Sequence, residues 1–385
     1  MKRFARVLPT MALAALGYFS PAVKAQESPG VSESEILLGQ SASFTGSFAG
    51  QATAYRDGAL LYFDHINSQG GVGRRKIKLL SLDDGYVVDK AVANTTSLIE
   101  KEKVFALFNY TWTNTVKATI PMAAAAKVPY FGPYTGFQEM YGTHNPYVFT
   151  TRASFKDELA KIVRHLSTTG TTRIALLHND SASGKELLAD TQELLAQTNI
   201  NLVGTGVMKA NSKDPAAAVA ALKDADIQAL ILGASGSDAI AFIKEFDKQA
   251  KYRPPYYARS LINATQLAKE LGKQADGISV TQTAPNPFKI HNTAVASEYR
   301  KLLAQKSPDA VPDYIALEGF ISAKIMVEGL RRAGDKPTRE KLIAALEGLR
   351  NYDAGGYFVR FDNKNHHGSR YVDLTLIARG GKVFD

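Results

Sequence analysis

The chain alternates short apolar segments with longer segments in which apolar residues recur every three or four positions. Ile36–Gln40 is the first short segment and predicts a β-strand. The next segment, Ala52–Asn67, carries Tyr55, Ala59 and Ile66 at helical spacing and predicts an amphipathic helix. Because the pattern repeats along most of the chain, we expect strands and helices to alternate.

Two runs of this alternation, Ile36–Phe131 and Ile174–Ala258, flank a candidate crossover at Tyr147–Ser154. Strands that alternate with helices form parallel sheets covered by helices on both faces. We therefore predict an α/β protein with two doubly wound lobes. The predicted strands are Ile36–Gln40, Ile77–Leu82, Val104–Phe108, Val128–Phe131, Ile174–Leu177, Leu202–Val207, Ala229–Leu232 and Tyr256–Ala258.

The chain beyond Ile278 is richer in helical pattern. Long helices are predicted near Thr293–Ala304, Tyr314–Arg332 and Arg339–Leu349. Two strand-like segments, Gly356–Phe361 and Tyr371–Ala378, follow them.

The first 25 residues have the pattern of a signal peptide. Four basic residues and no acid accompany Val7–Phe19, an uncharged and mostly apolar run of 13 residues, and Val23–Ala25 fits a cleavage site. The run is too short to span a bilayer, although an uncleaved anchor is the alternative. We expect a soluble mature chain that starts near Gln26 and resides in a bacterial periplasm.

Composition and charge narrow the classes of function. The 385-residue chain contains no cysteine, which excludes disulfides, thiolate metal sites, cysteine nucleophiles and a lipidated N-terminal cysteine. The net charge is +9, but the charges are interspersed rather than gathered in a basic stripe. Nucleic-acid binding proteins carry such a stripe, so we expect no nucleic-acid partner.

No catalytic arrangement stands out in the sequence. Gly233–Ser237 is not a nucleophile elbow, because its second glycine comes one place early. The pair His366–His367 lies among polar turn residues, and we favour a solvated turn over a metal ligand. Asp83–Asp84 follows a strand, where a solvated or hydrogen-bonded strand end is favoured over a metal site. We therefore expect a protein without metal, cofactor or enzyme activity.

Loops that follow the strands carry the chemistry of a binding site. In open parallel sheets, ligands bind at the carboxyl ends of strands, where helix N-termini favour an anion such as a carboxylate. Asn109–Thr115 is such a loop, and its Thr113 either caps the next helix or offers a hydroxyl to a ligand. Trp112 fits a pocket wall better than the core. After the next strand, the carbonyl of Pro133 is free to accept a hydrogen bond and Thr135 to donate one.

The order and spacing of several segments resemble one family. They are Ile36–Gln40, Ser43–Gly50, Asp57–Ala59, Asn67–Val72, Asp83–Asp84, Val128–Pro133 and Arg173–Leu177. The chain resembles the periplasmic substrate-binding proteins of branched-chain amino acid ABC transporters, the leucine/isoleucine/valine-binding type, over nearly all of its mature length.

This resemblance implies a type I periplasmic binding fold, in which two lobes close on a ligand like a flytrap. Lobe 1 is expected to contain residues 26–152 and 284–368, and lobe 2 residues 153–283 and 369–385. Hinge crossovers are then expected near Arg152, Thr283 and Gly368.

The resemblance also implies a ligand site. Thr113 or Trp112 falls where the family anchors an α-carboxylate, and Ser260 falls where an acidic residue binds the α-ammonium. Gln51, Ser183 and Ser235 fall where the family often has tyrosines. The expected ligand-binding residues are Phe48, Gln51, Tyr110, Trp112, Thr113, Pro133, Tyr134, Thr135, Ser183, Ser235 and Ser260.

Ser260 leaves the nature of the ligand open. A serine in place of a carboxylate removes the strongest partner of a buried ammonium. The ligand is therefore a branched-chain amino acid or a related small carboxylate or amide-like molecule, aromatic ones included. We expect Arg259 to face solvent, with contact to a second acidic group as the alternative.

The expected function is that of the periplasmic solute-binding component of an ABC importer. The partners are a small-molecule ligand and a membrane permease, and we expect a monomer. A ligand-sensing subunit with the same fold is the first alternative, and an exported α/β enzyme is the second.

Overall fold

The computed structural model describes residues 1, 28–46, 48–210, 212–234, 236–289, 293–380 and 383–384. Ser235 and, apart from Met1, the leader predicted at residues 1–25 lie outside this part of the chain. Among the described residues, none of the helices combines the length and the apolar character that a membrane crossing requires.

Strands and helices alternate as the hydrophobic pattern predicts. The strands are β1 (Glu35–Ala42), β2 (Lys76–Asp83), β3 (Ala106–Phe108), β4 (Tyr130–Phe131), β5 (Val148–Phe149), β6 (Arg173–Asn179), β7 (Asn201–Met208), β8 (Ala229–Leu232), β9 (Tyr256–Ala258), β10 (Ser279–Gln282), β11 (Tyr352–Asp353), β12 (Phe358–Val359), β13 (Asp373–Ile377) and β14 (Val383–Phe384). The helices are α1 (Ala49–Ser68), α2 (Val88–Thr96), α3 (Thr113–Ala125), α4 (Gln138–Gly142), α5 (Phe155–Thr168), α6 (Ala182–Leu195), α7 (Ala216–Leu222), α8 (Gly236–Gln249), α9 (Ala264–Leu271), α10 (Ala294–Lys306), α11 (Tyr314–Ala333) and α12 (Arg339–Glu347).

The strands form two large sheets. The first sheet has the order β2-β1-β3-β4-β5 and is parallel throughout. The second has the order β14-β13-β10-β9-β8-β6-β7, in which β6 to β10 are parallel and β13 and β14 are antiparallel additions. Strands β11 and β12 pair only with each other. The prediction of an α/β protein with two parallel-sheet lobes is therefore confirmed.

Each large sheet is buried on both faces. In the first sheet, Leu38 belongs to a core shared with α1, α10, α11 and α12, whereas its neighbour Leu37 packs against the core of α3. In the second sheet, Leu177 faces α7, α8 and α9, whereas Leu176 faces α5 and α6. Successive strand residues point to opposite faces, so burial of both explains why these strands read as continuous apolar runs.

The chain connects the two sheets more than once. It leaves the first sheet after Phe149 and reaches the second at Arg173, and it leaves the second after Gln282. A further connection runs from Val359 of β12, which packs in the core beside the first sheet, to Asp373 of β13 in the second sheet. The crossover positions expected near Arg152, Thr283 and Gly368 lie within these connections.

Two of the connections run side by side. The Thr150 N–H donates to the carbonyl of His366 at 2.9 Å, and the Gly368 N–H donates to the carbonyl of Thr150 at 2.8 Å. In proteins with two lobes, hinge motions are absorbed by a few residues of such connections.

Helices α1 and α11 approach closely at two glycines. A Cβ atom on Gly58 would lie 1.8 Å from the carbonyl oxygen of Ala316, and one on Gly319 would lie 1.9 Å from that of Tyr55. Neither position has room for a side chain. The contact holds α11 against the first sheet, although α11 follows β10 of the second sheet in sequence.

The structure also contains elements that the hydrophobic pattern misses, among them β10 and α9. The β10 strand carries Thr281 and Gln282, which are polar yet buried. Their hydrogen bonds to Glu158 and Thr375 explain how a strand without an apolar run is stable in the interior.

Candidate functional site

A cleft with a volume of about 200 Å³ lies between the carboxyl ends of the strands of the two sheets. The first lobe lines it with Phe48, Tyr86, Trp112, Thr113 and Asn114. The second lobe contributes Asn179, Ser181, Ser183, Arg259, Leu261 and Ile262, among others. This is the place where parallel α/β sheets bind ligands, because loops and helix N-termini converge there.

Aromatic rings form the wall of the first lobe. The ring centroid of Phe48 lies 4.4 Å from that of Trp112 and 4.8 Å from that of Tyr86. Trp112 has a φ of 72°, which is rare for a bulky residue and holds the indole against the cleft. Its indole nitrogen is buried without a hydrogen-bond partner among the described residues. The wall therefore combines apolar surface with one unused donor.

A pair of threonines lies at the start of α3. The hydroxyl oxygens of Thr113 and Thr135 lie 2.8 Å apart, and Thr113 lines the cleft while Thr135 is fully buried. No side chain caps this end of α3, and its first turn carries no acidic residue. Free N–H groups and the helix dipole favour an anion at this position.

Pro133 and Tyr134 lie just outside the lining. The carbonyl of Pro133 accepts the Thr135 N–H at 2.9 Å, so it is already engaged within the loop. The ring of Tyr134 lies 5.7 Å from that of Trp112, and its buried hydroxyl lacks a partner among the described residues. Burial raises the pKa of Tyr134 well above its usual value, although the charge of Arg152 opposes this. Tyr134 therefore supports the aromatic wall from behind as a neutral phenol.

Two hydrogen bonds cross the cleft from one lobe to the other. The Gln51 side-chain amide of α1 donates to that of Gln266 in α9 at 3.3 Å. The Asn263 amide donates to the carboxylate of Asp313 at 3.0 Å. Each bond joins one lobe to the other, so an opening motion would break both.

Ser260 belongs to a buried polar network near the crossovers. Its N–H and hydroxyl both donate to the carboxylate of Glu158, at 2.8 and 2.9 Å. Arg152 is fully buried and forms ion pairs with Glu158 at 3.3 Å and with Glu318 at 3.4 Å. Burial raises the pKa of Glu318, while the charge of Arg152 acts to lower it. The network joins the first crossover to both lobes.

Several predicted roles need correction. Tyr110 does not line the cleft: its ring packs in the core against Tyr130, and its hydroxyl lies 3.1 Å from that of Thr95. Ser260 is engaged by Glu158 rather than open to a ligand. Arg259 is only 6% exposed and lines the cleft, so the expectation that it faces solvent is wrong.

The predicted solvated turn at His366–His367 is also wrong for the first histidine. His366 is buried, its ring stacks on Phe149 at 3.8 Å, and its Nε2 lies 3.2 Å from a carboxylate oxygen of Glu347. Among the described residues, no group of three or more histidines, aspartates or glutamates is placed to hold a metal ion.

The structure also adds lining residues that are not among the expected ligand-binding residues. Tyr86 follows β2 and has a φ of 65°, while Asn179 ends β6 and Leu261 follows β9. Each of them lies at the end of a strand or shortly after it, which is the signal that identified Trp112 and Thr113. Ser183 also lines the cleft.

These features define a class: a two-lobe protein with a ligand-sized cleft between the carboxyl ends of two parallel sheets. Residues 35–382 match the family model described as periplasmic binding protein, and the chain belongs to this family. The family is described as one of binding proteins, and the solved structures that resemble this chain include binding and transport proteins. The resemblance found in the sequence is therefore confirmed.

Solved structures support the same assignment. A substrate-binding periplasmic protein from Ralstonia solanacearum is 32% identical, with a TM-score of 0.84 over 91% of this chain and 99% of that one. A branched-chain amino acid ABC transporter protein from Thermus thermophilus with bound valine is 16% identical, with a TM-score of 0.80 over 92% and 96%. LivJ from Streptococcus pneumoniae with isoleucine is 19% identical, with a TM-score of 0.78 over 91% and 97%. The last two share the type I fold.

Proposed function

We propose that this protein is the solute-binding component of an ABC importer and delivers a small molecule to a membrane permease. The observation that carries the proposal is the cleft itself, which both lobes line and which cross-lobe hydrogen bonds close. The family assignment supports the same role. In this role the protein binds and releases its ligand unchanged.

The ligand is a small molecule with a carboxylate and an apolar body. The uncapped N-terminus of α3 and the hydroxyl of Thr113 suit a carboxylate. The rings of Phe48, Tyr86 and Trp112 suit an apolar or aromatic body. Since drug-sized ligands occupy pockets of roughly 300–1,000 Å³, a volume of about 200 Å³ favours a molecule the size of a branched-chain amino acid or a small aromatic acid.

Ligand binding would drive closure of two lobes about the crossovers. We assign residues 26–152 and 284–368 to lobe 1 and residues 153–283 and 369–385 to lobe 2. Ligand held by one lobe gains contacts to the other only when the cleft shuts, so it shifts the equilibrium toward the closed form. The bonds Gln51–Gln266 and Asn263–Asp313 then add to the stability of that form.

The proposed location is the periplasm, reached through cleavage of the leader near Ala25. The permease would recognise the closed form by the outer faces of both lobes. Crosslinking of the purified protein to its permease in membranes, with and without ligand, tests this partnership.

A thermal-shift screen followed by calorimetric titration tests the binding role. The panel contains leucine, isoleucine, valine, phenylalanine, small aliphatic and aromatic acids, and their amides. A ligand in excess of its Kd raises the melting temperature by mass action, by a free energy of about 2.7 kcal/mol at 100 times Kd. Ligand recovered unchanged after release supports binding without turnover.

The variant Thr113→Val tests the site, and Thr143→Val is its matched control. It removes the cleft hydroxyl with little change in shape and is expected to weaken binding about tenfold or more, the range for a hydrogen bond to a charged group. Thr143→Val changes an exposed threonine of the same lobe and is expected to leave binding unchanged. Failure of every panel member to bind the wild-type protein would contradict the proposal.

A further inference from the structure

Arg259 is a buried cation in the wall of the cleft. It follows β9 directly, is 6% exposed and lines the cavity beside Leu261 and Ile262. The guanidinium carbon lies 4.5 Å from the ring centroid of Phe155, which is a cation–π contact. An arginine in this position presents a planar set of donors to whatever occupies the cleft.

The side chain of Arg259 has no hydrogen-bond or ion-pair partner among the residues that the structure describes. Its Nε is buried without an acceptor. A buried charge without a partner is costly, and a ring face compensates for only part of that cost. Such a group is stable in the closed protein when a ligand supplies the opposite charge.

The carboxylates nearest to Arg259 are engaged elsewhere. Glu158 interacts through both oxygens with Ser260 and Thr281 and pairs with Arg152. On α6, Asp190 lies 3.8 Å from Lys156, and Glu186 accepts the N–H of Gln138 at 2.7 Å. None of these three acids lies within ion-pair distance of Arg259, so their charges reach it only from farther away.

The rest of the lining does not suit an ammonium group. The cleft residues that the structure describes include no aspartate or glutamate, and Arg259 is the one formally charged side chain among them. The N-terminus of α3 on the opposite wall also favours negative charge. A zwitterionic amino acid would place its ammonium in a cleft that holds a cation and no counter-ion.

We infer that the ligand is an organic acid anion without an ammonium group, and that its acid group, held by lobe 1 at the N-terminus of α3, also pairs with Arg259 when the cleft closes. The inference rests on the proposed binding function and names its substrate class. A carboxylate fits the fork of a guanidinium through two parallel hydrogen bonds. Selectivity against amino acids then follows from repulsion and from the desolvated ammonium, rather than from a steric block.

Titration with matched ligand pairs tests this inference. We compare leucine with 4-methylpentanoate and phenylalanine with 3-phenylpropanoate, which differ only in the α-ammonium, and 3-phenylpropanoate with 3-phenylpropanamide. The better acid is expected to bind at least tenfold more tightly than its amino acid and its amide. Equal or tighter binding of the amino acids would overturn the inference while leaving the proposed binding function intact. Absence of binding by all of these molecules would overturn both.

Variants at Arg259 supply a second test. Arg259→Gln is expected to weaken binding of the acid at least tenfold and to leave binding of the amide within about twofold, while Arg259→Lys retains part of the affinity. Lys251→Gln removes an exposed cation of the same lobe and is expected to change neither. Equal loss of acid and amide binding in Arg259→Gln would contradict the inference.

A measurement without ligand keeps the test independent of the panel. Removal of an unpaired buried charge is expected to raise the melting temperature of the ligand-free protein in Arg259→Gln, although the same change weakens acid binding. A lower melting temperature would show that Arg259 serves the structure through a partner of its own and would overturn the inference.

Discussion

The hydroxyl oxygens of Thr113 and Thr135 lie 2.8 Å apart, which joins the loops that follow two neighbouring strands. Only Thr113 lines the cleft, so Thr135 acts on a ligand through the orientation of its partner. Thr135→Val is expected to weaken ligand binding about threefold to tenfold, the effect of one neutral hydrogen bond. Calorimetric titration of both single variants and the double variant checks this. Fully additive losses would show that the two hydroxyls act separately.

The contact of α1 with α11 predicts a strong effect of a very small change. Gly58→Ala places a methyl group 1.8 Å from a backbone oxygen of Ala316, so the helices must separate. We expect a loss of about 1–3 kcal/mol in the free energy of unfolding, as for other overpacked contacts. Denaturant unfolding measures it. Gly142→Ala, where the new methyl group meets open space, is the control, and an equal loss there would contradict the interpretation.

The network at the crossovers predicts that breaking a buried ion pair lowers the stability of the protein more than breaking an exposed one. Glu158→Gln removes a charge that Arg152 pairs with in the interior and is expected to cost about 3–5 kcal/mol of stability. The side chain of Glu193 is 63% exposed and pairs with Lys156. Glu193→Gln breaks this pair and is expected to lower the free energy of unfolding by less than about 1 kcal/mol. Chemical denaturation of both variants makes the comparison. A similar cost for the two would show that the buried network is not essential.

The bond across the cleft predicts an effect on closure. Gln51→Ala removes the hydrogen bond to Gln266 and is expected to weaken ligand affinity about fivefold, which is the contribution of one neutral hydrogen bond. Small-angle scattering is expected to show a larger open fraction at subsaturating ligand. Gln69→Ala, at the far end of α1 and exposed, is the control. Unchanged affinity in Gln51→Ala would mean that this bond does not contribute to the closed form.

The histidines at the crossover predict a pH dependence of stability. Burial, followed by the charges of His366, His144 and Arg370, lowers the pKa of His367 to about 4 from 6.5. The unfolded chain therefore takes up this proton at higher pH than the folded protein does. The free energy of unfolding is expected to fall as the pH drops from about 6.5 to about 4. Thermal unfolding of His367→Gln is expected to show a shallower fall than the wild type, and equal slopes would contradict the assignment.

The hydrophobic pattern predicts most of the fold because both sheets are buried on both faces. Strands such as β8 and β9 are continuous apolar runs, and their bounds agree with the predicted ones. The β10 strand escapes prediction because Thr281 and Gln282 replace apolar contacts with hydrogen bonds to distant residues. A local pattern does not reveal a partner such as Glu158, which lies 123 residues from Thr281 in sequence.

Part of the site is also predictable, because ligand-binding residues follow the strands that end at the cleft. Trp112 and Thr113 follow a strand that ends at the cleft, so their position alone identifies them. Tyr110 follows the same strand, but its side chain points to the opposite side and meets Thr95. Arg259 looks like a surface residue in the sequence, and its burial and its contact with Phe155 become visible only in the structure. Orientation and tertiary partners therefore limit what the sequence predicts.

Trp112 is the single tryptophan of the chain, and its indole lies in the wall of the cleft against Phe48. The tryptophan fluorescence of the protein thus arises from one chromophore at the place where the lobes meet. A guest in the cleft displaces water from this indole and alters its emission without any added dye. The molecule in this way carries its own optical reporter of occupancy, suited to stopped-flow measurement of how fast the lobes shut.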